Sequence, residues 1–139
     1  MIDIVRFRPE HLEQLVNPLK VSAEMIPLKN SSGSAYTALY NNKPVMSAGA
    51  LMIWPHVAEG WALVTPLDPI PARKIIFQVR QRISSFMRSL ELHRLQATVR
   101  LDEVNSNRFV RAIGFEFEGY MKGYDSDGND FVRYGKVMK

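Results

Sequence analysis

Glu59-Gly60-Trp61-Ala62-Leu63-Val64-Thr65 opens the stretch that decides the fold, and that stretch runs on to Val99. Gly60 to Thr65 is a short apolar run of strand length. Prolines at 66, 69 and 71 break it. From about Ala72 to Leu90, the residues Ile75, Ile76, Val79, Ile83, Phe86, Met87 and Leu90 recur at spacings of three and four. That spacing predicts one long helix with a single apolar stripe. Lys74, Arg80, Arg82 and Arg88 fall on its other side, as a solvated back would. Pro71 suits the first turn, where its missing N–H costs nothing. Leu95-Gln96-Ala97-Thr98-Val99 then alternates in twos, like a strand. Strand, helix and strand make a βαβ unit, parallel and right-handed in crossover. In open α/β sheets ligands gather beyond the carboxyl ends of the strands, here Thr65 and the loop after it. A helix N-terminus points free N–H groups at the same place and favours phosphate. The expected site is therefore Leu63 to Lys74.

The chain of 139 residues is one domain's worth, so a single domain over 1–139 is expected. Folding at this size buries about two-thirds of the unfolded surface, enough for a core without staples. With no cysteine there is no disulfide, thiolate nucleophile or Cys-ligated metal. No apolar run approaches the ~20 residues of a membrane span, and Met1-Ile2-Asp3-Ile4-Val5 lacks the plan of a signal peptide. The expectation is a soluble cytoplasmic protein with no membrane partner. A formal net charge of +4 is a mild bias, without the clustered Lys/Arg and interleaved aromatics of a nucleic-acid binder.

Outward from the βαβ unit, Asp3 to Arg8 alternates as a first strand, stopped by Pro9. Glu10 to Leu19 predicts a short helix, and Val21 to Leu28 a second helix or an irregular turn. Asn30 to Ser34 is loop by composition. Ala35–Tyr40 and Pro44–Trp54 read as strands joined by a hairpin turn at Asn41-Asn42-Lys43. The second is apolar on both faces and should be central. Pro55 to Ala58 turns the chain into the Trp61 strand. Asp102 to Ile113 reads as a helix, capped by Asp102 and ended by Gly114. Phe115 to Met121 alternates cleanly, Asp125 to Asp130 is a turn, and Phe131 to Met138 is the last strand. Together these predict an α/β (α+β) fold, with a mixed sheet of six to seven strands flanked by about four helices.

Asn105-Ser106-Asn107-Arg108-Phe109-Val110-Arg111-Ala112-Ile113-Gly114-Phe115-Glu116-Phe117-Glu118-Gly119 looks like the "Asn, helix, Gly-Phe, then acidic-Gly" segment of one family. With the element order, the chain resembles the GNAT superfamily of acyl-coenzyme A-dependent N-acetyltransferases over essentially its whole length. The order Trp61-x-Leu63-x-Thr65, long helix, Leu95-x-x-x-Val99, Asn-rich helix, Gly114-Phe115 is similar to small GNAT-like proteins of bacteriophages, internal core proteins of podophage virions included. The resemblance implies an acetyl-coenzyme A cleft where the Gly60–Thr65 strand parts from Leu95–Val99. It implies cofactor contacts from Leu63, Val64, Thr65, Ala72, Arg73, Lys74, Asn105 and Asn107. The family's phosphate loop, Arg/Gln-x-x-Gly-x-Gly/Ala, falls here on Pro69, Ala72 and Lys74. Glycine serves there to let main chain approach phosphate, so Arg73 and Lys74 would have to compensate by charge.

Direct acetylation needs a neutral amine, and a free lysine is only about one part in two thousand neutral at pH 7. A general base contributes roughly 10²- to 10⁴-fold, and the thioester oxygen needs a donor such as a backbone N–H. Glu59 is the base candidate, with His56 as the alternative, and Val64 or Thr65 would supply the N–H. The family's tyrosine, which protonates the leaving thiolate, falls on Val110; Tyr120 or Tyr124 could substitute. Asp125 to Asp130 has its glycine at the fourth place instead of the sixth and no closing Glu, so hairpin turn is preferred over calcium loop, and no metal is expected. Two functions are expected. One is an acetyl-CoA-dependent N-acetyltransferase acting on an amine, small-molecule or protein. The other is a catalytically silent relative, a virion component or a factor bound to a host protein, located in host cytoplasm or virion. The oligomeric state is left open, a homodimer included.

Overall fold

The computed structural model describes residues 2–8, 10–11, 35–65 and 69–138. Seven strands, β1 (Ile2–Arg6), β2 (Ala35–Tyr40), β3 (Lys43–Trp54), β4 (Val57–Val64), β5 (Arg94–Arg100), β6 (Glu116–Met121) and β7 (Phe131–Val137), form a mixed sheet in the order β1-β2-β3-β4-β5-β7-β6. Among the described residues there are two helices, α1 (Pro69–Ser89) and α2 (Val104–Ala112). Glu10 and His11 are helical; the remainder of the two N-terminal helices expected from the sequence, and the Asn30–Ser34 loop, lie outside the described residues. The chain divides into two compact units, residues 1–51 with 61–75 and residues 52–60 with 76–139.

In the first unit β2 pairs antiparallel with both β1 and β3. Asn41 and Asn42 both take positive φ, 51° and 67°, which a two-residue hairpin turn requires and Asn tolerates. Phe7 is buried with Ala35, and Trp61 and Leu63 pack on them. β3 is buried from Pro44 to Ser47 and at Ala50, but Met52, Ile53 and Trp54 emerge into solvent, so its centrality holds for the first two-thirds only. A buried polar chain crosses this unit. His11 Nδ1 accepts the Arg8 N–H at 3.1 Å and faces Thr37 Oγ1 at 2.7 Å. A backbone amide can only donate, so Nδ1 is the unprotonated nitrogen and the Thr37 hydroxyl donates to it. Thr37 then accepts from Ser47, 3.0 Å away.

In the second unit β4 runs parallel to β5, while β7 pairs antiparallel with β5 and β6. The α1 stripe buries Ile83 and Met87 here and Ile75 in the first unit. Arg80, Arg82 and Arg88 are exposed, and Arg80 also donates to the Ala112 carbonyl at the end of α2. The helix starts at Pro69, three residues earlier than the periodicity indicates, because proline's fixed φ is already helical. Both helices end in paired 6→1 and 5→2 bonds: Leu92 N–H to Met87 O and Glu91 N–H to Arg88 O for α1, Phe115 N–H to Val110 O and Gly114 N–H to Arg111 O for α2. Gly114 fills the left-handed position in α2, as expected; in α1 that position holds Glu91, at φ 55°. The cap of α2 is Glu103, whose side chain makes no capping bond, whereas Asp102 is drawn off to pair with Arg100. The clean alternation read into 115–121 is broken by a bulge between Phe117 and Gly119. In the 125–130 turn, the Asp125 carboxylate accepts the N–H groups of Asp127 and Asn129 and the Asn129 amide.

Two outcomes follow. Glu91→Gly should raise stability by about 0.5–1 kcal/mol, because glycine occupies the left-handed position without the Cβ penalty; chemical denaturation reads it. His11 is held below the ordinary histidine value, by burial first and then by Arg8, with Glu10 opposing. A depressed histidine contributes stability that is complete above the ordinary value and is lost as pH falls through the folded one. Stability should therefore drop between neutral pH and the acid side of the histidine range, and His11→Gln should flatten that part of the pH profile.

Candidate functional site

The β4–β5 ladder sets Val57 opposite Arg94, Glu59 opposite Gln96 and Gly60 opposite Ala97, its last pair, while β4 continues to Val64 and β5 to Arg100. Residues opposite each other share a face, so Glu59 stands with Arg94, Gln96 and Thr98. Its carboxylate is held at both oxygens: Gln96 Nε2 donates to Oε1 at 2.9 Å and Thr98 Oγ1 donates to Oε2 at 3.0 Å. Each carboxylate oxygen offers about two lone-pair sites. Glu59 is therefore oriented while still able to accept a proton, and it is half-buried.

Gln96 is oriented in turn. Its Oε1 accepts from Arg94 Nε at 3.1 Å, which fixes the amide so that its nitrogen faces Glu59. The Arg94 guanidinium grips Glu118 of β6 through two bonds, Nη1 to Oε2 at 2.8 Å and Nη2 to Oε1 at 2.5 Å. β7 lies between β5 and β6, and the pair crosses it at Gly135. A Cβ there would sit 2.7 Å from Glu118 Cδ and 2.8 Å from Arg94 Nη1. The hydrogen bonds to Arg94 hold the Glu118 carboxyl below its usual range, and the bonds to Glu118 hold the Arg94 guanidinium above its own. Arg133, opposite Thr98, buries its Nε without a hydrogen-bond partner.

The other sequence candidates are distributed as follows. In the first unit Leu63 is half-buried, Val64 exposed and Thr65 buried. The Thr65 N–H is already donated to Val45 O at 2.9 Å, which leaves Val64 as the candidate oxyanion donor without that engagement. Ala72, Arg73 and Lys74 follow a first turn in which Pro69 and Pro71 have no N–H to offer; Arg73 and Lys74 are exposed. In the second unit Asn105 is exposed on the first turn of α2. The Asn107 amide is engaged, donating to Arg100 O at 3.0 Å and Glu103 O at 2.8 Å and accepting from Tyr134 OH at 2.7 Å. Both amide N–H donors are used, and the oxygen keeps one acceptor site. Tyr120 pairs with Val132, which pairs with Val99, the face opposite Glu59; the structure does not bring Tyr120 and Glu59 together. Tyr124 is exposed beyond the end of β6, its ring 5.2 Å from Phe131. Val110 is buried. His56 sits in the turn before β4, at the end of that strand opposite Thr65. There its Nδ1 donates to Glu91 O at 2.7 Å, and its carbonyl accepts the N–H groups of His93 and Arg94. It pins helix end to strand start, and with the proton on Nδ1 the ring's other nitrogen is the basic one. Sequence reasoning missed Arg94, Gln96, Thr98, Glu118 and Gly135. The polar residues alternating with Leu95, Ala97 and Val99 were the available sign of a second, polar face.

No family model and no curated protein matches the sequence. Solved structures do. Ard1 from Thermoplasma volcanium is similar with a TM-score of 0.75 at 16% identity, over 99% of this chain and 98% of that one. A GNAT-family acetyltransferase from Bacillus anthracis gives 0.74 at 19% identity, over 98% and 94%. RimL, a ribosomal L7/L12 alpha-N-protein acetyltransferase solved with coenzyme A, gives 0.70 at 18% identity, over 99% and 94%. The chain has the fold of GNAT acetyltransferases.

Gly135→Ala should open the Arg94–Glu118 pair, because the flexible side-chain ends are what must yield. The pair is half-exposed, so the loss should stay within about 1 kcal/mol. Chemical denaturation measures that loss, and NMR titration should find the Glu118 carboxyl moved up towards its ordinary range.

Proposed function

We propose that the chain is an N-acetyltransferase that carries an acetyl group from acetyl-coenzyme A to an amine, with Glu59 as general base. The observation that carries this reading is the Glu59 carboxylate, oriented from two sides by Gln96 and Thr98 one residue before the β4–β5 ladder ends. On this face the Arg94 guanidinium is taken by Glu118, and the two donors that hold Glu59 are neutral side chains. Glu59 thus remains available for the proton an attacking amine must lose.

The residues present fit acetyl-coenzyme A through charge and main chain, not through a glycine cradle. Leu63, Val64 and the cations Arg73 and Lys74 would hold it, and when bound it supplies an activated acetyl thioester. The Val64 N–H would stabilise charge building on the reacting oxygen. With proline at 69 and 71, phosphate recognition leans on Arg73 and Lys74, so affinity should fall steeply with added salt. A second reading keeps the fold and works by binding alone, as a virion component or a factor bound to a host protein. The proline-filled first turn and the buried Val110 favour it.

Thermal shift separates the two. Acetyl-coenzyme A at a hundredfold excess over Kd should stabilise the chain by about 2.7 kcal/mol. Arg73→Ala with Lys74→Ala should weaken binding about tenfold or more, consistent with 1.4 kcal/mol per decade. With an amine panel that includes peptide N-termini, because one structural neighbour acts on a ribosomal-protein α-amine, Glu59→Gln should slow transfer by roughly 10²- to 10⁴-fold and leave the thermal shift intact. Absence of any shift at millimolar cofactor would end the acetyltransferase reading.

A further inference from the structure

On the sheet face away from Glu59, the second unit carries an open groove of about 230 Å³ between α2 and the β6–β7 pair. Four large apolar side chains stand in water along it: Tyr120 is 66% exposed, Val104 58%, Phe117 47% and Leu101 44%. Scattered apolar residues are ordinary on a surface, but a contiguous group marks a contact site. The grouping comes from the β6 bulge. Three residues apart, Phe117 and Tyr120 would face opposite ways on a regular strand. The bulge turns both toward the face of Tyr134 and Val132, with their rings 5.2 Å apart, edge to face. Bulges recur where a side chain must be re-aimed. The floor is rigid: Tyr134 is fully buried and anchored to Asn107, and Arg111 is held with its guanidinium carbon 5.8 Å from the Tyr134 ring centre.

The lining carries Arg108 and Arg111 and no carboxylate; Glu116 pairs with Gly135 and Glu118 reaches Arg94, both on the other face. We propose that this groove docks a short acidic segment of another protein, one that lays an aliphatic or aromatic side chain against Val104, Phe117 and Tyr120 and its carboxylates against Arg108 and Arg111. The volume lies below the roughly 300 Å³ at which small-molecule sites begin, so it suits one or two side chains instead of a whole cofactor. A second copy docking about a two-fold axis would set arginine against arginine, since such interfaces oppose the same patch to itself. A single nucleic-acid strand needs a longer track of cations than two arginines provide.

Random-peptide display on the immobilised full-length chain, followed by fluorescence anisotropy of the labelled selected peptides, tests this. Selected peptides should carry Asp or Glu around a large apolar residue. Arg108→Glu with Arg111→Glu should weaken them roughly tenfold or more, and Tyr120→Ala several-fold, as at interface hot spots. Arg108→Glu alone, at an exposed position, should leave the melting temperature unchanged and carries the same expectation should the double variant, which also gives up the Arg111 contact with Tyr134, unfold. The proposal is overturned if selection yields nothing or yields basic or uncharged peptides, or if the variants bind as well as the parent. It is equally overturned if coenzyme A or oligothymidylate displaces the peptide, or if light scattering shows a dimer that Tyr120→Ala dissociates.

Discussion

Register between two parallel strands is the constraint on which the rest of the site depends. Glu59 meets Gln96 and Thr98 only because Val57 stands opposite Arg94. A slip of one residue would send the carboxylate to the other face and put Ala58 or Gly60 in its place. Two features hold the register. Ala58 and Leu95 face each other fully or nearly buried, so the opposite face of the same rungs is core. Just before the first rung, the His56 carbonyl takes two N–H groups from the start of β5 and its ring fastens the end of α1. A residue with a left-handed backbone and a polar ring thus serves as the clamp for the carboxylate three positions further along the chain.

The β6 bulge works on both faces of the sheet at once. On one it frees Glu118 to reach over Gly135 to Arg94; on the other it sets Tyr120 beside Phe117. Gly135 is used here for its missing side chain, not for backbone freedom: any Cβ would occupy the space through which the ion pair crosses β7. The resulting chain, Glu118 to Arg94 to Gln96 to Glu59, carries orientation across four strands by hydrogen bonds alone. Its exposed end contributes little stability, so its value lies in geometry.

Much of this was legible in the sequence. The helical stripe from Ile75 to Met87, the Asn41-Asn42 hairpin, Gly114 at the end of α2 and the parallel unit around α1 all follow from local rules that tertiary contacts did not override. The charged back of α1 was read as solvated, and it is exposed. What failed were places where a local rule had a competitor. Asp102 is the better cap by residue type, but Arg100 two residues earlier takes its carboxylate. The 115–121 alternation is regular in composition, and no residue in it announces that one extra position is left unpaired. The role of His56 in pinning the strand start was hidden as well: its partner, Glu91 O, is 35 residues away and belongs to a helix end. The partners of Asn107, the Arg100 and Glu103 carbonyls and the Tyr134 hydroxyl, could not be read from its residue type either. Glu59 was found by strand position, but the hydrogen bonds that single it out come from β5 and are invisible until the strands are paired.

The emergence of β3 from the core has an optical consequence. The chain has two tryptophans. Trp54, at the exposed end of β3, belongs to the second unit, and Trp61, packed edge-on to Phe7 at 5.4 Å, belongs to the first. One indole is bathed in water and the other packs on Phe7 and Ala35 with its N–H unpartnered. Their emission should accordingly differ in wavelength and in access to a soluble quencher. Each compact unit therefore carries its own intrinsic fluorophore, and the two can be followed independently in a single unlabelled sample.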